Sequence, residues 1–193
     1  GRVGSKVALK ILRTDPATQA EKVFEIKLRR KNVEKPNVFS KMLSGKTGYL
    51  YFQTFYQKTG VEVIEHVRAL KARGAASLIV DLRGNGGGSV AAAIEIASSF
   101  LRKGQVVMRS KNRQGEKHQA KTSADGEFFD LPLKILVNGD SASASEAFAG
   151  AMRDHKRGQV VGSRTFGKGV TQELIPFDDG SALMLTTERW YTP

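Results

Sequence analysis

The stretch ASLIVDLRGNGGG, residues 76–88, decides the fold class of this chain. Its opening residues, 76–82, form a nearly continuous apolar run bounded by glycine-rich sequence, which is typical of a parallel strand buried on both faces. A glycine loop follows at residues 84–88, and a helix is predicted over residues 89–102. A strand that passes through a short loop into a helix is the repeating unit of an α/β domain.

Strands and helices alternate on both sides of this unit. An aromatic strand is predicted over residues 48–55 and an amphipathic helix over residues 61–73. A second buried strand is predicted over residues 133–137 and a helix over residues 144–155. Short strands are expected at residues 105–108, 159–162 and 181–187, with an exposed polar excursion at residues 109–131. We therefore predict an α/β core over residues 48–193, which could be truncated at its C-terminal end.

The first residues indicate a separate piece of structure. Apolar and polar side chains alternate over residues 6–13 and 22–30, which predicts a hairpin with a polar connection around Asp15. A lone two-stranded hairpin is marginally stable in water. We therefore interpret residues 1–33 as the trailing part of a small β domain and residues 34–47 as a linker.

The composition excludes several classes of protein. The chain has 193 residues, of which 40% are hydrophobic and 26% charged, and this balance favours a globular domain over disorder. It contains no cysteine, which excludes disulfides, thiolate metal sites and a thiol nucleophile. No apolar run reaches the ~18 residues that span a bilayer. The chain begins without Met and without a signal-peptide pattern, so we expect a processed fragment.

The net charge of +12 is concentrated near the start, where residues 1–46 hold 12 basic and 4 acidic side chains. The densest cluster is Lys27, Arg29, Arg30 and Lys31. A basic patch of this kind can bind nucleic acid or a membrane surface, but it can also keep a strand edge solvated. No aromatic side chain is interleaved to stack on bases. We therefore favour the solvated edge and expect no nucleic-acid partner, while membrane association stays open.

The loop SASASE, residues 141–146, allows two interpretations. Ser143 and Glu146 form the pattern of a capping box at the start of the predicted helix. A serine at this position also lies in the positive field of a helix N-terminus, where the N–H of Ala144 could help to hold an oxyanion. Ser143 is thus either a cap alone or a nucleophile.

A nucleophilic serine needs a base, and the three histidines are poorly placed for that role. His66 lies in a predicted helix, His118 in the polar excursion and His155 at a helix C-terminus. Lys168 differs, because two glycines flank it beside apolar neighbours. A lysine in an apolar pocket loses ammonium stability, and the neutral amine can then accept a proton. A solvated surface charge is the alternative.

The glycine loop matches neither a P-loop nor a dinucleotide fingerprint. Consecutive glycines let backbone N–H groups approach a ligand and form an anion-binding nest. The alternative is a tight connection between a strand and a helix.

Together, three motifs resemble those of the carboxy-terminal processing (tail-specific) serine proteases. They are DLRGNGGG at residues 81–88, SASASE at residues 141–146 and TFGKGVTQ at residues 165–172. The resemblance covers residues 48–193, and the opening hairpin is similar to the last strands of the PDZ domain that precedes this core in the family. It implies a crotonase/Clp-like ββα protease core preceded by a partial PDZ hairpin.

The resemblance also implies roles for individual residues. Ser143 would be the nucleophile, Lys168 the general base and Gln172 the group that orients the lysine amine. The oxyanion hole would use the N–H of Ala144 and an N–H from the glycine loop. The remaining implied positions are Gly87 or Gly88 for that second donor, and Glu146, Asp154 and Thr165 as supporting residues. Neither a metal ion nor an organic cofactor is implied.

The implied activity is that of a serine endopeptidase that cleaves proteins near their C-termini through an acyl-enzyme. Protein substrates with exposed C-termini would be the partners, a homo-oligomer is a possible assembly, and the location would be the periplasm or cell envelope. The family often has Asn-Pro-Gly-Gly where this chain has Asn-Gly-Gly-Gly at residues 85–88. The alternatives are a non-catalytic ligand- or peptide-binding module on the same scaffold and a basic nucleic-acid-binding domain.

Overall fold

A computed structural model describes residues 1–33 and 35–193. The chain divides into two compact units, Gly1–Pro36 and Asn37–Pro193. The first residue of the predicted linker, Glu34, lies outside the described residues. Within those described ranges, no helix combines the length and the apolar character needed to cross a membrane.

The first unit contains the predicted hairpin. Strands β1 (Lys6–Thr14) and β2 (Glu21–Arg29) pair in antiparallel register over their whole length. The Asp15 carboxylate accepts hydrogen bonds from the backbone N–H groups of Ala17 and Thr18 at 2.8 and 2.9 Å, which shapes the connection. The hairpin is therefore confirmed, whereas its assignment to a PDZ domain stays a prediction.

The second unit contains two sheets and three helices. Its elements in chain order are β3 (Val38–Leu43), β4 (Thr47–Phe52), α1 (Thr59–Ala72), β5 (Ser77–Asp81), α2 (Val90–Phe100), β6 (Val106–Asn112), β7 (Lys117–Lys121), β8 (Leu133–Val137), α3 (Ala144–Asp154), β9 (Gln159–Gly162), β10 (Val170–Pro176) and β11 (Ala182–Tyr191).

The larger sheet has the strand order β3-β4-β5-β8-β9. Strand β3 is antiparallel to β4, and the other neighbours are parallel. Parallel strands end at the same edge of a sheet, and loops beyond that edge commonly carry ligand sites. Three loops follow β5, β8 and β9 there: the glycine loop (residues 84–88), the serine loop (138–143) and the lysine loop (163–169). The order of the strands thus brings all three motifs to one edge.

The smaller sheet has the order β10-β11-β6-β7 and is antiparallel throughout. Met108 of β6 and Trp190 of β11 pack against Ala147 of α3. One face of this sheet is therefore buried beside the helix that follows the serine loop.

Three sequence expectations are corrected by these elements. Part of the predicted linker forms β3, which pairs with β4 from Val38↔Phe52 to Leu43↔Thr47. Strand β7 and most of β6 lie in the predicted excursion, and β10 was not predicted. The exposed positions of β6 and β7 are polar or charged, whereas β3 and β10 also expose apolar side chains, and none of the four strands forms a long apolar run in the sequence.

Candidate active site

Asn85 joins the glycine loop to the serine loop. Its backbone carbonyl accepts hydrogen bonds from the N–H of Ala142 at 3.1 Å and from the hydroxyl of Ser145 at 2.8 Å. Its buried side chain donates to the Phe52 carbonyl at 2.9 Å and accepts from the N–H of Gly87 at 2.9 Å. Because both loops bond to one buried residue, their relative position is closely determined.

Further hydrogen bonds complete the connection of the three loops. The Ser141 hydroxyl donates to the Leu82 carbonyl at 2.7 Å, and the Asn138 side chain accepts from the N–H of Gly84 at 2.9 Å. The N–H of Phe166 donates to the Ser141 carbonyl at 3.0 Å. The lysine loop is thereby attached to the serine loop as well.

Ser143 is the N-cap of α3 and has an unusual backbone conformation. Its φ is 57° and its ψ is −116°. A positive φ is uncommon outside glycine, and such strained residues cluster at functional sites. Ser89, the N-cap of α2, shows the ordinary alternative: its φ is −63°, and its hydroxyl accepts from the N–H of Ala92 at 3.3 Å. Capping therefore does not require the conformation of Ser143.

The Glu146 carboxylate connects the serine loop to the lysine loop. One half of the predicted capping box is present: Oε2 of Glu146 accepts from the N–H of Ser143 at 2.7 Å, whereas the Ser143 hydroxyl makes no capping hydrogen bond in the described part of the chain. The same oxygen accepts from the N–H of Lys168 at 2.9 Å, while Oε1 accepts from the N–H of Gly167 at 2.6 Å. We call this arrangement the Glu146 clamp. It holds the main chains of Ser143 and Lys168 on one carboxylate.

The Lys168 side chain is half-buried and is directed to Gln172. Its Nζ donates to Oε1 of Gln172 at 3.2 Å. No hydrogen bond joins the Lys168 amine to the Ser143 hydroxyl among residues 1–33 and 35–193. Gln172 lies where the pairing of β10 with β11 shifts register, next to Thr171. Such irregularities commonly redirect side chains in sheets.

The glycine loop lies directly against the nucleophile candidate. A Cβ atom on Gly87 would be 2.8 Å from the Ser143 Cβ and 2.9 Å from the Ala144 nitrogen. The Gly87 N–H is already bonded to Asn85. The N–H groups of Gly88 and Ala144 have no acceptor in the part of the chain that the structure describes. Of the three predicted oxyanion donors, these two are free.

A cavity of about 260 Å³ opens beside Lys168. Its walls include Ala149, Gly150 and Trp190, with Thr165 near the lysine. Ser143 is not part of the wall, so the cavity borders the lysine side of the site. The wall combines small and apolar residues with the charged residues Glu146, Arg153 and Lys168.

Asp154, the remaining supporting residue, lies at the far end of α3. This helix has 11 residues, so its two ends are ~16 Å apart. Asp154 accepts from the Arg153 guanidinium at 2.8 Å. Burial raises its pKa, but hydrogen bonds from Thr192 and Arg153 outweigh burial and lower it. Within the described residues Asp154 contacts neither Ser143 nor Lys168. Its predicted supporting role is therefore not explained by a direct contact with either residue.

Asp81 shapes the entry to the glycine loop. Its carboxylate accepts from the Tyr49 hydroxyl at 2.7 Å, from the Arg83 backbone N–H at 3.0 Å and from the Arg83 guanidinium at 2.7 Å. Burial alone would raise the pKa of Asp81, but these hydrogen bonds outweigh it and hold the pKa below its ordinary value.

Asp81→Asn is therefore expected to lower the free energy of unfolding by ~1–3 kcal/mol at neutral pH. A carboxyl whose pKa is lowered by folding stabilises the protein above its unfolded pKa, and this contribution is lost as the pH falls through the folded value. Urea unfolding of both proteins at neutral and acidic pH measures the difference. A difference that stays constant or grows toward acidic pH would contradict this account of Asp81.

Comparison with known protein families identifies the family of this chain. Residues 46–193 match the family described as Peptidase family S41. The chain belongs to peptidase family S41. This membership confirms the α/β protease core expected from the three motifs.

The chain is similar to two proteins named "Probable CtpA-like serine protease". The one from Staphylococcus haemolyticus (strain JCSC1435) is 38% identical over 100% of this chain and 38% of the relative. The one from Staphylococcus aureus (strain bovine RF122 / ET3-1) is 37% identical over 88% of this chain and 34% of the relative. This S41 chain therefore spans only about a third of the length of these relatives.

Among solved structures, the chain is similar to the photosystem II D1 C-terminal processing protease. The TM-score is 0.72 at 29% sequence identity, over 100% of this chain and 52% of the solved one. The match supports the two-sheet architecture of the S41 core, whereas the identity of the opening hairpin is not specifically tested by it.

Proposed function

We propose that this S41 chain carries the catalytic core of a serine endopeptidase with a Ser143–Lys168 dyad. The observation that carries the proposal is the Glu146 clamp, which holds the main chains of Ser143 and Lys168 on one carboxylate. The strained backbone of Ser143 supports it, since an ordinary cap such as Ser89 has no such strain. A binding module that performs no chemistry has no use for this combination.

In the first step, the neutral Lys168 amine removes the proton of the Ser143 hydroxyl as the oxygen attacks a peptide carbonyl. The amine now bonds to Gln172, so a change in the Lys168 side-chain torsions has to turn Nζ toward Ser143. Gln172 accepts a hydrogen bond from the amine before the reaction begins. This bond limits the conformations of the Lys168 side chain from which Nζ turns toward Ser143.

The developing oxyanion is held by backbone donors, and we assign this role to the N–H groups of Gly88 and Ala144. Each donor of this kind typically contributes ~10²–10³ in rate. The N–H of Gly87 is bonded to Asn85. Gly87 therefore acts by leaving room beside Ser143, and Gly88 is the glycine that we prefer as the donor.

The tetrahedral intermediate then collapses to an ester of Ser143. The leaving amine takes the proton from the Lys168 ammonium, which regenerates the neutral base. Water attacks the ester with Lys168 again as base, and the carboxylic acid product leaves with Ser143 restored. These steps use only side chains and backbone donors of this chain and water.

We further propose that the substrates are proteins with exposed C-termini and that the protein acts in the periplasm or cell envelope. The first part is supported by a relative whose printed name is a C-terminal processing protease. The second part follows from the family resemblance.

The activity can be tested with two peptides of the same apolar C-terminal sequence, one with a free carboxylate and one amidated. The proposal expects cleavage near the end of the free-acid peptide, slower cleavage of the amide, and no cleavage of either by Ser143→Ala. Mass spectrometry of the products locates the bond. Binding of the free-acid peptide with no cleavage would favour the non-catalytic module instead.

A further inference from the structure

Three cations lie directly opposite one another across the smaller sheet. Arg189 of β11 pairs with Lys111 of β6, and Lys111 pairs with Lys117 of β7. Side chains of directly opposite residues extend from the same face of a sheet, with Cβ atoms ~5 Å apart. The three residues therefore form one row of positive charge across three strands.

Two further arginines extend this row along β6. Arg109 lies two residues before Lys111, on the same face, and Arg113 follows directly after the strand. We call Arg109, Lys111, Arg113, Lys117 and Arg189 the basic face. All five are exposed, whereas the opposite face of the sheet carries the buried Met108 and Trp190.

Repulsion between the cations of the basic face lowers the stability of the smaller sheet. Like charges directly opposite each other destabilise a sheet. Within the described residues no carboxylate lies within 4.0 Å of these five cations, and the neighbouring Glu188 faces His118 at 4.0 Å. Protection of a sheet edge explains only Lys117, because β6 and β11 have a neighbour on both sides. The cations of the inner strands require another reason.

A cavity of about 450 Å³ opens on this part of the sheet. Lys111, Arg113 and Arg189 line it together with Thr187 and Glu188. The Oγ1 atom of Thr187 is buried and has no hydrogen-bond partner among the described residues. Unsatisfied buried hydroxyls are rare in native proteins, and this one lies in the wall of a cationic cavity.

We propose that the basic face binds an extended acidic segment of a protein. Alternate side chains of an extended peptide are ~6.8 Å apart, the same spacing as Arg109 and Lys111 along β6. Guanidinium groups bind carboxylates through paired, charge-assisted hydrogen bonds. The charge, the spacing and the hydrogen-bonding groups of the basic face therefore fit a peptide with a carboxylate at every second residue.

Strand β11 connects this face to the proposed active site. Arg189 belongs to the basic face, while Trp190 and Thr192, which alternate with it, lie on the opposite side and line the cavity beside Lys168. We assign the acidic segment to a part of the substrate that lies on the other side of the sheet from the bond that is cut. This part of the inference rests on the proposed function, whereas the binding itself does not.

The test uses Ser143→Ala protein, so that the probe stays intact, and a fluorescein-labelled peptide with glutamate at every second position. Binding is measured by anisotropy, with the glutamine version of the peptide and inorganic polyphosphate as comparisons. The double substitution Lys111→Gln and Arg189→Gln is expected to weaken binding about tenfold, while the melting temperature is unchanged or higher because repulsion is relieved. The matched control, Lys10→Gln with Lys22→Gln on the hairpin, removes the same charge and is expected to leave binding nearly unchanged.

Several results would overturn the inference. Equal binding of the glutamine peptide, or an equal loss in the hairpin control, would exclude a specific site on the basic face. Tighter binding of polyphosphate than of the peptide would mean that the face takes a phosphate polymer instead. If the acidic peptide binds as expected but the unsubstituted protein cleaves nothing, the proposed function fails while the acidic site stands.

Discussion

Lys168→Ala is expected to lower the rate of peptide cleavage by ~10²–10⁴-fold, the usual contribution of a general base. The substitution removes the amine and its methylene chain but leaves the Glu146 clamp, because the clamp uses the backbone N–H of Lys168, which alanine retains. The lysine loop therefore keeps its attachment to the serine loop. Ser143→Ala is expected to reduce the rate further, to the background reaction, because no acyl-enzyme can form.

The measurement is kcat/KM for a free-acid peptide, with the melting temperature of each variant as the check on folding. Lys103→Ala removes an exposed lysine elsewhere in the same unit and serves as the matched control. A Lys168→Ala protein that cleaves as fast as this control would show that the lysine is a solvated charge.

Gly87→Ala is expected to lower kcat/KM by ~10²–10³-fold, a loss comparable to that of an oxyanion donor. The new Cβ would lie 2.6 Å from the Ala142 carbonyl oxygen and 2.9 Å from the Ala144 nitrogen. Both are main-chain atoms, so they cannot move aside without shifting the serine loop. Gly87 also has φ +97°, which an alanine adopts only with strain.

Gly84→Ala separates strain from crowding in the same loop. Gly84 has φ +73°, but no atom would lie within 4 Å of its Cβ. This control is therefore expected to lose stability, by ~1 kcal/mol, and to retain activity. If the two variants lost activity equally, backbone strain and not room beside Ser143 would be the cause.

Strands that coincide with apolar runs of the sequence were predicted with accurate bounds. The predicted strand at residues 133–137 has the bounds of β8, and the one at residues 159–162 those of β9. Strands β3 and β10 were missed, because their stability comes from pairing with β4 and β11, and no long apolar run marks them. Local periodicity reports burial, and these strands are only partly buried.

In the candidate active site, too, local features were predicted and long-range contacts were missed. Sequence reasoning placed Ser143 and Lys168 on loops at strand ends, and the order of β5, β8 and β9 brings those loops to one edge. It missed the connecting roles of Asn85, Ser141 and Ser145. Their bonds go to backbone carbonyls or N–H groups, and those from the two serines span 59 and 60 residues of sequence, a separation at which no local pattern exists. The alternation of small serines with alanines in the serine loop was the one available signal.

The central claim, that the lysine amine activates the serine hydroxyl, is tested most directly by covalent labelling. A serine-reactive fluorophosphonate should form one adduct with the unsubstituted protein, with loss of fluoride, and peptide mapping should locate it at Ser143. We predict that Lys168→Ala abolishes this adduct while Lys103→Ala keeps it. Equal labelling of Ser143 in the Lys168→Ala protein, or no labelling of the folded, unsubstituted protein, would contradict it.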